Sequence, residues 1–394
     1  MNVIKRYYLL LLTLTALNAQ AQSDPMHRYN TKFTLSAVNF VDTIPIEFED
    51  DQIYIHATVN GLDYRLNIDT GSSQGIAYAN GHLPYGRVLG KVESRDANGR
   101  IDTIQAVAFP TFTIGNLTIS GYSGSLFRRH HAPAKYDAII GFDLFNKGLS
   151  AKIDTRQGIM ILTDIRNYFD LEEGYRFKYR LLRFVPNVKL SPYPNCIDEA
   201  LFDTGSRRLY VMGNRSLDLF YDRFPDISSQ IESRSHGNRA VGGFGAEKAD
   251  RLTFLWLDGF NLGGYEFRDY HTMTTQGYSR IGGELLRYGS LIINPRRKTM
   301  TFQPYNEGDA MMVSNSQTNI AFVPQNDRPV VGMVWEGSPH YRNGFRQGDM
   351  ILQIDNHFIN TFNDFLSYPF IEGRQHVFLV RSLNGSIHEI VSER

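Results

Sequence analysis

The sequence predicts a mainly β protein with two duplicated lobes, followed by a small α/β domain. Alternating apolar residues are frequent along the chain, whereas helical periods are short and few. Two motifs recur at nearly the same spacing: "YRLNIDTGSS" (64–73) is echoed by "DEALFDTGSR" (198–207), and "YDAIIGFDLF" (136–145) by "YSRIGGELL" (278–286). A matched pair of motifs of this kind indicates a duplicated lobe. The length of 394 residues suits two or three domains.

The first residues have the pattern of an export signal. Lys5 and Arg6 precede an apolar run, residues 7–17, and Ala19-Gln20-Ala21 supplies the small residues that a signal peptidase needs. We therefore expect residues 1–21 to be a signal peptide and the protein to be exported, either to the periplasm or out of the cell. A retained anchor is the alternative, but the apolar run is only about half as long as a membrane-spanning helix.

Composition limits the partners and the stabilising chemistry. Lys plus Arg equals Asp plus Glu, 41 of each, so no overall charge attracts the chain to nucleic acid or to anionic lipid. The chain has one cysteine, Cys196, which excludes an internal disulfide and favours a buried structural thiol. His130 and His131 lack a third ligand at a suitable spacing, so neither a metal nor another cofactor is expected.

The strands are predicted from alternation and turn residues. "QIYIHATVNG" (52–61) ends in Asn60-Gly61, a strong hairpin signal. Residues 92–109 form two strands around a turn at 96–99, and residues 233–254 have the same layout around the glycine-rich "VGGFGAEK". The predicted units are lobe 1 (22–165), lobe 2 (166–305), a linker (306–319) and a small domain (320–394).

The two Asp-Thr-Gly triplets are the strongest chemical signal. Each follows an apolar strand, which would carry Asp69 and Asp203 into tight turns at Gly71 and Gly205. If the lobes pack about a pseudo-twofold axis, the two carboxylates lie too close for both to ionise, so one keeps a proton. One aspartate is then a base and the other an acid. The alternative is that each aspartate only caps a turn, which a repeated pair makes much less favourable.

These motifs resemble the aspartic peptidases of the pepsin and retropepsin type over roughly residues 50–305. The resemblance implies a bilobal aspartic-peptidase fold, with a retropepsin-like β-barrel in each lobe and the catalytic pair Asp69 and Asp203 at the floor of the cleft. It further implies that the residues beside this pair support it: Thr70 and Thr204 brace the two loops, Gly71 and Gly205 shape the turns, and Ser72 and Ser206 hydrogen-bond the outer carboxylate oxygens. The predicted flap has its tip at Asp96, Asn98 and Gly99, where the sequence is charged and lacks the tyrosine of pepsins. In lobe 2, Arg280 stands where an apolar residue is usual.

Residues 331–359, "VGMVWEGSPHYRNGFRQGDMILQIDNHFI", resemble the core of a PDZ domain. Ser338-Pro339, Gly344-Phe345 and the segment 348–351 match its usual pattern. The resemblance implies a module that adds a peptide strand to a sheet edge and so recruits substrate. The alternative is an appendage that packs on the peptidase and binds nothing.

The sequence thus predicts an exported aspartic endopeptidase that acts as a monomer on peptide or protein substrates. After signal removal we expect no transmembrane segment and no nucleic-acid partner. The first alternative is an inactive protein that retains the bilobal cleft to bind peptides. The second is a structural envelope protein in which the duplicated lobes serve assembly.

Overall fold

A computed structural model describes residues 32–96, 98–129, 135–239, 241–371 and 373–393. The predicted signal peptide, residues 1–21, lies outside these ranges, as do His130 and His131. Within these ranges, no helix has the length and apolar character needed to cross a membrane. The described chain forms two β lobes and a C-terminal α/β module.

Lobe 1 consists almost entirely of strands. Its elements are β1 (Thr34–Leu35), β2 (Val41–Glu49), β3 (Gln52–Val59), β4 (Leu62–Ile68), β5 (Gly75–Tyr78), β6 (Val88–Arg95), β7 (Ile101–Ala108), β8 (Phe112–Ile114), β9 (Leu117–Ser120), β10 (Ser123–Phe127), β11 (Ala138–Ile140), the one-turn helix α1 (Asp143–Asn146), β12 (Ser150–Asp154) and β13 (Ile159–Thr163). As predicted, Asn60 and Gly61 turn β3 into β4, both with positive φ. β11 lies between β4, to which it is parallel, and β5, to which it is antiparallel.

Lobe 2 repeats this order. It contains β14 (Tyr175–Leu182), β15 (Val185–Tyr193), β16 (Cys196–Asp203), β17 (Tyr210–Val211), α2 (Asn214–Arg223), a 3-10 helix (Pro225–Gln230), β18 (Ile231–Gly237), β19 (Val241–Gly242), β20 (Gly245–Ala246), β21 (Asp250–Leu262), β22 (Tyr265–Met273), β23 (Arg280–Gly282), α3 (Leu285–Tyr288), β24 (Gly289–Asn294), β25 (Thr299–Pro304) and β26 (Ala310–Met312). β23 lies between β16 and β17 with the same parallel and antiparallel pairings as β11. Cys196 is buried.

The lobes share one sheet. β2, β13 and β12 of lobe 1 continue into β24, β25 and β14 of lobe 2, and β12 pairs with β24 where the lobes meet. One cluster of buried apolar side chains runs through both lobes. The hydrogen bonds and this common core fix the lobes relative to each other, and the ends of β4 and β16 therefore meet.

The C-terminal module has its own sheet and core. Its elements are β27 (Ile320–Gln325), β28 (Arg328–Val334), α4 (Pro339–Arg342), β29 (Met350–Ile354), β30 (His357–Phe358), α5 (Phe362–Ser367), β31 (His376–Arg381) and β32 (Ile387–Ser392). Ser338 caps α4 through Tyr341 N at 3.1 Å, and Thr361 and Asp364 form a capping box at α5. The sheet order β27-β28-β29-β31-β32 leaves β27 at an edge of the described sheet.

The module is docked on lobe 2 and not tethered at a distance. Met333 of β28 packs with Leu252, Phe254 and Met273 of lobe 2 in a small shared core. Residues 306–319, predicted to be a linker, contain β26, which pairs in parallel with β22. The side chain of Asn315 then bonds both backbone groups of His271. The connection is therefore part of the lobe 2 surface.

Candidate active site

The two Asp-Thr-Gly loops are locked together by their threonines. Thr70 N donates to Thr204 Oγ1 and Thr204 N donates to Thr70 Oγ1, both at 3.0 Å. Each hydroxyl also crosses to the other lobe at 2.7 Å, where Thr70 donates to Phe202 O and Thr204 donates to Ile68 O. Both threonines are fully buried. Four bonds of matched length make this contact symmetric, so the two aspartates that precede the threonines are held in opposed positions.

Each aspartate carboxylate is held by its own turn. One oxygen of each accepts from the backbone N–H groups two and three residues further on: Gly71 (2.8 Å) and Ser72 (3.2 Å) for Asp69 Oδ1, and Gly205 (3.1 Å) and Ser206 (3.2 Å) for Asp203 Oδ1. Because these donors are main-chain groups in a tight turn, the carboxylates cannot rotate freely. These turn bonds engage Oδ1 of each carboxylate and not Oδ2.

The glycines of the triplets allow the two carboxylates to approach. A Cβ atom at Gly71 would lie 2.5 Å from Asp203 Cγ, and one at Gly205 would lie 2.6 Å from Asp69 Cγ. No side chain fits at such distances, so glycine is required at both positions. Each turn therefore packs directly on the carboxylate of the other lobe.

Ser72 and Ser206 both contact the aspartate carboxylates. Their contacts with the carboxylates run through backbone N–H groups. The Ser72 hydroxyl donates instead to Gln74 O at 2.7 Å. A side-chain donor is unnecessary here because the turn already brings two main-chain donors to the same oxygen.

The electrostatics of the pair favour one retained proton. Burial raises the pKa of Asp69 well above its usual range, and the charge of Asp203 and a hydrogen bond with Asp203 raise that pKa further. Asp203 is itself 6% exposed. Two carboxyl groups placed this close together can share one proton, and such a pair can supply an acid and a base from the same residue type.

The predicted flap is the hairpin β6–β7. At its tip Asp96 Oδ1 accepts from Asn98 N at 3.0 Å and from Arg100 N at 2.9 Å, and Gly99 takes a positive φ. The tip residues therefore build the turn itself. Asp96 also lines the cleft, together with residues 93–95, whereas Asn98 and Gly99 do not.

A second hairpin, β19–β20 of lobe 2, meets this tip across the cleft. Phe244 N donates to Asp96 Oδ2 at 3.2 Å, and Arg100 Nη1 donates to Phe244 O at 2.8 Å. The Phe244 ring stacks on Phe127 of lobe 1 with centroids 5.3 Å apart. The sequence predicts only a glycine-rich turn at these residues and gives it no role; its glycine-rich composition is the available signal. Both lobes therefore contribute to the roof of the cleft.

The space between the dyad and the two hairpins is a cleft of about 1350 Å³. Asp69 and Asp203 lie in its wall with Gly71, Ser72 and the hairpin residue Val241. Sequence reasoning missed several other lining residues, of which the informative ones are Gln52, Tyr78, Ile139, Leu201, Tyr278 and Leu366. Leu366 belongs to α5, so the C-terminal module reaches the mouth of the cleft. The volume is large enough for a stretch of peptide.

Comparisons with known proteins are sparse at the sequence level and numerous at the structural level. No family model and no curated protein matches the chain. Among solved structures, an aspartic proteinase from Irpex lacteus is similar, with 13% identity over 70% of this chain and 100% of that chain and a TM-score of 0.46. Basic 7S globulin from soybean is similar over 68% of this chain and 95% of that chain, with 10% identity and a TM-score of 0.40.

The topology of the chain itself defines its fold. Two β lobes, each with a strand inserted between the aspartate strand and its neighbour, share a central sheet and bring two Asp-Thr-Gly loops together. The predicted fold class, mainly β with two lobes, is thereby confirmed.

Proposed function

We propose that this chain is an aspartic endopeptidase that hydrolyses peptide bonds with water activated between Asp69 and Asp203. The observation that carries the proposal is the symmetric contact that opposes two hydrogen-bonded carboxylates at the floor of a peptide-sized cleft. Asp69 and Asp203 are the catalytic residues of this proposal, and Thr70, Gly71, Ser72 and their lobe 2 counterparts Thr204, Gly205 and Ser206 hold them.

The reaction follows from the shared proton. The ionised carboxylate removes a proton from water as the water oxygen attacks the carbonyl carbon of the peptide, and the protonated carboxyl hydrogen-bonds the carbonyl oxygen. As the tetrahedral species collapses, the leaving nitrogen takes a proton from the pair and the C–N bond breaks. The proton count of the dyad is then restored. Because water and not a side chain attacks the carbonyl carbon, no covalent bond forms between the protein and the substrate.

The test is cleavage of a diverse peptide library by the purified mature chain between about pH 3 and pH 7. We expect cleavage that is lost in Asp69→Asn and retained in Asp218→Asn, a control on an exposed aspartate of α2. Peptide binding without cleavage by the unmodified chain would instead support the inactive binding protein. A cleft that only binds peptides has no chemical need for two opposed carboxylates, which disfavours that alternative.

We further propose the bounds of the two lobes, a monomeric state and export of the chain. The lobes are assigned to residues 22–165 and 166–305. The chain works as a monomer because it contains both half-sites, which constant activity per molecule on dilution would test. It is exported after loss of residues 1–21, which the mass of the exported protein would test.

We also assign the module at 320–394 to substrate recruitment in the manner of a PDZ domain. The edge strand β27 lies beside α5, where the rings of Phe322 and Phe365 are 4.7 Å apart, and the next residue, Leu366, lines the cleft. A peptide added to this edge would lie near the cleft mouth. The test measures the binding of labelled peptides to the Asp69→Asn protein. It compares peptides with a free carboxyl terminus with amidated ones, and it compares the protein with a variant that also carries Leu366→Glu.

A further inference from the structure

The two lobes present different side chains at one matched position of the cleft wall. In lobe 1, β11 pairs Ile139 with Asn67, and Ile139 lines the cleft. In lobe 2, β23 pairs Arg280 with Leu201 in the same register, and Leu201 lines the cleft. Neighbouring residues in register project to the same face of a sheet. Arg280 therefore lies on the same face of the sheet as Leu201, at the position where lobe 1 has an apolar side chain, but it is buried and is not among the described residues that line the cleft.

Arg280 is buried and has no ionic partner among the residues that the structure describes. It is 6% exposed, its Nη2 lies 3.5 Å from Thr275 Oγ1, and its Nε has no hydrogen-bond partner in the described part of the chain. Arg239, at the base of the lobe 2 hairpin, likewise has a buried Nε without a partner. Burial lowers the pKa of Arg239 to about 10, and the charge of Arg280 contributes to this shift. The two guanidinium groups thus repel each other in a poorly hydrated site.

The acidic residue next to these arginines is Glu247, and its carboxylate is hydrogen-bonded by groups other than the two guanidinium groups. Glu247 accepts from Arg239 N at 3.1 Å through Oε1 and from Thr275 Oγ1 at 3.2 Å through Oε2. The charge of Arg208 adds to that of Arg280 in lowering the Arg239 pKa, while Arg208 itself also interacts with the carboxylate of Glu284. A buried cation without a full counter-charge is costly, and a bound anion removes that cost.

The cleft wall in front of this group is also cationic. Among its described lining residues, six are cationic, and the only acids besides the dyad are Glu93 and Asp96. The six are Arg95, Arg128, Arg129, Lys135, Arg183 and Arg207. Lys135 and Arg207 pair with Asp50 outside the lining, so the remaining positive excess is smaller, and it attracts acidic peptides.

We propose that Arg280 and Arg239 bind the carboxylate of an aspartate or glutamate side chain of the substrate, on the side of the scissile bond held by lobe 2. This inference rests on the proposed peptidase function and names its substrate class. The arginines determine specificity and take no part in the chemical step. A guanidinium with a free Nε offers the paired N–H donors that a carboxylate accepts.

The test uses pairs of peptides. The two members of a pair are identical except at one position near the cleaved bond, where one has Glu and the other Gln, and each position near the bond is tested in turn. For the unmodified chain we expect kcat/KM to favour Glu at one position by about tenfold or more, the scale of one charge-assisted contact. Arg280→Ile, which copies the residue of lobe 1, should abolish that preference and favour an apolar residue. Arg280→Lys should keep part of it, and Arg234→Ile, a control on the exposed face of β18, should change nothing.

Stability and binding measurements separate the outcomes. If the site is built for a ligand, Arg280→Ile relieves repulsion and should not lower the melting temperature; a clear loss would indicate a structural arginine and overturn the proposal. Cleavage with equal preference for Glu and Gln would overturn it while leaving the peptidase function intact. If no peptide were cleaved, the peptidase proposal would fail, and Glu and Gln peptides titrated against the Asp69→Asn protein would still decide the binding site.

Discussion

In lobe 1 the inserted strand β11 carries Ile139 against the cleft, and in lobe 2 the matching strand β23 carries Arg280. The loops where the lobes touch show no such divergence: Thr70 and Thr204 make the same bonds at the same distances. Residues at a symmetric contact must match each other, because a change on one side leaves a buried group unpaired on the other. Residues outside this contact, such as Ile139 and Arg280, have no symmetric partner to match, so they are free to differ.

The same contrast holds at the turns that begin each lobe's repeat. Asp50-Asp51 joins β2 to β3, and Arg183-Phe184 joins β14 to β15; all four residues have positive φ. Asp51 of the first turn pairs with Arg287 of lobe 2. Phe184 O of the second accepts from Asn146 of lobe 1 at 2.9 Å. The backbone form is shared while the charge is reversed, and the pseudo-symmetry is therefore one of conformation and not of surface chemistry.

The largest expected effect comes from removing either half of the dyad. Asp69→Asn and Asp203→Asn should each lower kcat by about 10³-fold or more, and the double variant should be little worse, because the two carboxylates act as one unit. If the proposed peptidase function is right, the intact chain should show a bell-shaped pH profile of cleavage with its maximum in acid. Unequal losses, or additive losses in the double variant, would show that one lobe works without the other.

The threonine contact should be equally sensitive from both sides. Thr70→Val removes a hydroxyl that bonds Thr204 N and Phe202 O, so it leaves two buried backbone groups unpaired. We expect a loss of about 2–4 kcal/mol in the free energy of unfolding. Thr204→Val should cost the same, and Thr70→Ser, which keeps the hydroxyl, should cost much less. Denaturant unfolding measures all three; a difference between the two valine variants would break the symmetry argued above.

Substituting the buried acidic residues should change the melting temperature by a smaller amount, in a direction that depends on pH. Burial raises the pKa of Asp143 in lobe 1 well above its usual range, and raises the pKa of its lobe 2 counterpart Glu284. A carboxyl whose pKa is higher in the folded state binds more protons there, so stability is greatest below the unfolded pKa, about 4, and is lost as pH rises toward the folded value. Asp143→Asn and Glu284→Gln should therefore raise the melting temperature at pH 7 and not at pH 4. The larger gain is expected in lobe 1.

The sequence was sufficient for the features that repetition and turn chemistry encode. The paired triplets, the Asn60-Gly61 hairpin and the mainly β lobes follow from residues close together in the chain. The serine contacts were not predictable, because whether a hydroxyl or a main-chain N–H reaches a carboxylate depends on the turn geometry. The docking of Met333 on Leu252 and Phe254 also could not be predicted. An apolar residue in a module shows that it is buried but not which surface buries it.

The contact between the two hairpins provides the finest test of the comparison. Arg100 of the lobe 1 hairpin donates through Nη1 to Phe244 O at 2.8 Å and to Ala246 O at 3.2 Å. These bonds are exposed, so Arg100→Ala should cost only about 1 kcal/mol, or roughly a fivefold weakening of the closed roof.

If both hairpins must close on a peptide, that cost appears as a rise in KM of the same size with kcat nearly unchanged, because the dyad lies below the roof and keeps its own bonds. Arg87→Ala, an exposed arginine beside the base of the same hairpin, should leave KM unaltered. A fall in KM for Arg100→Ala would mean that the contact obstructs substrate entry. The lobe 2 hairpin would then act as a barrier to the peptide, and closure over the substrate would belong to lobe 1 alone.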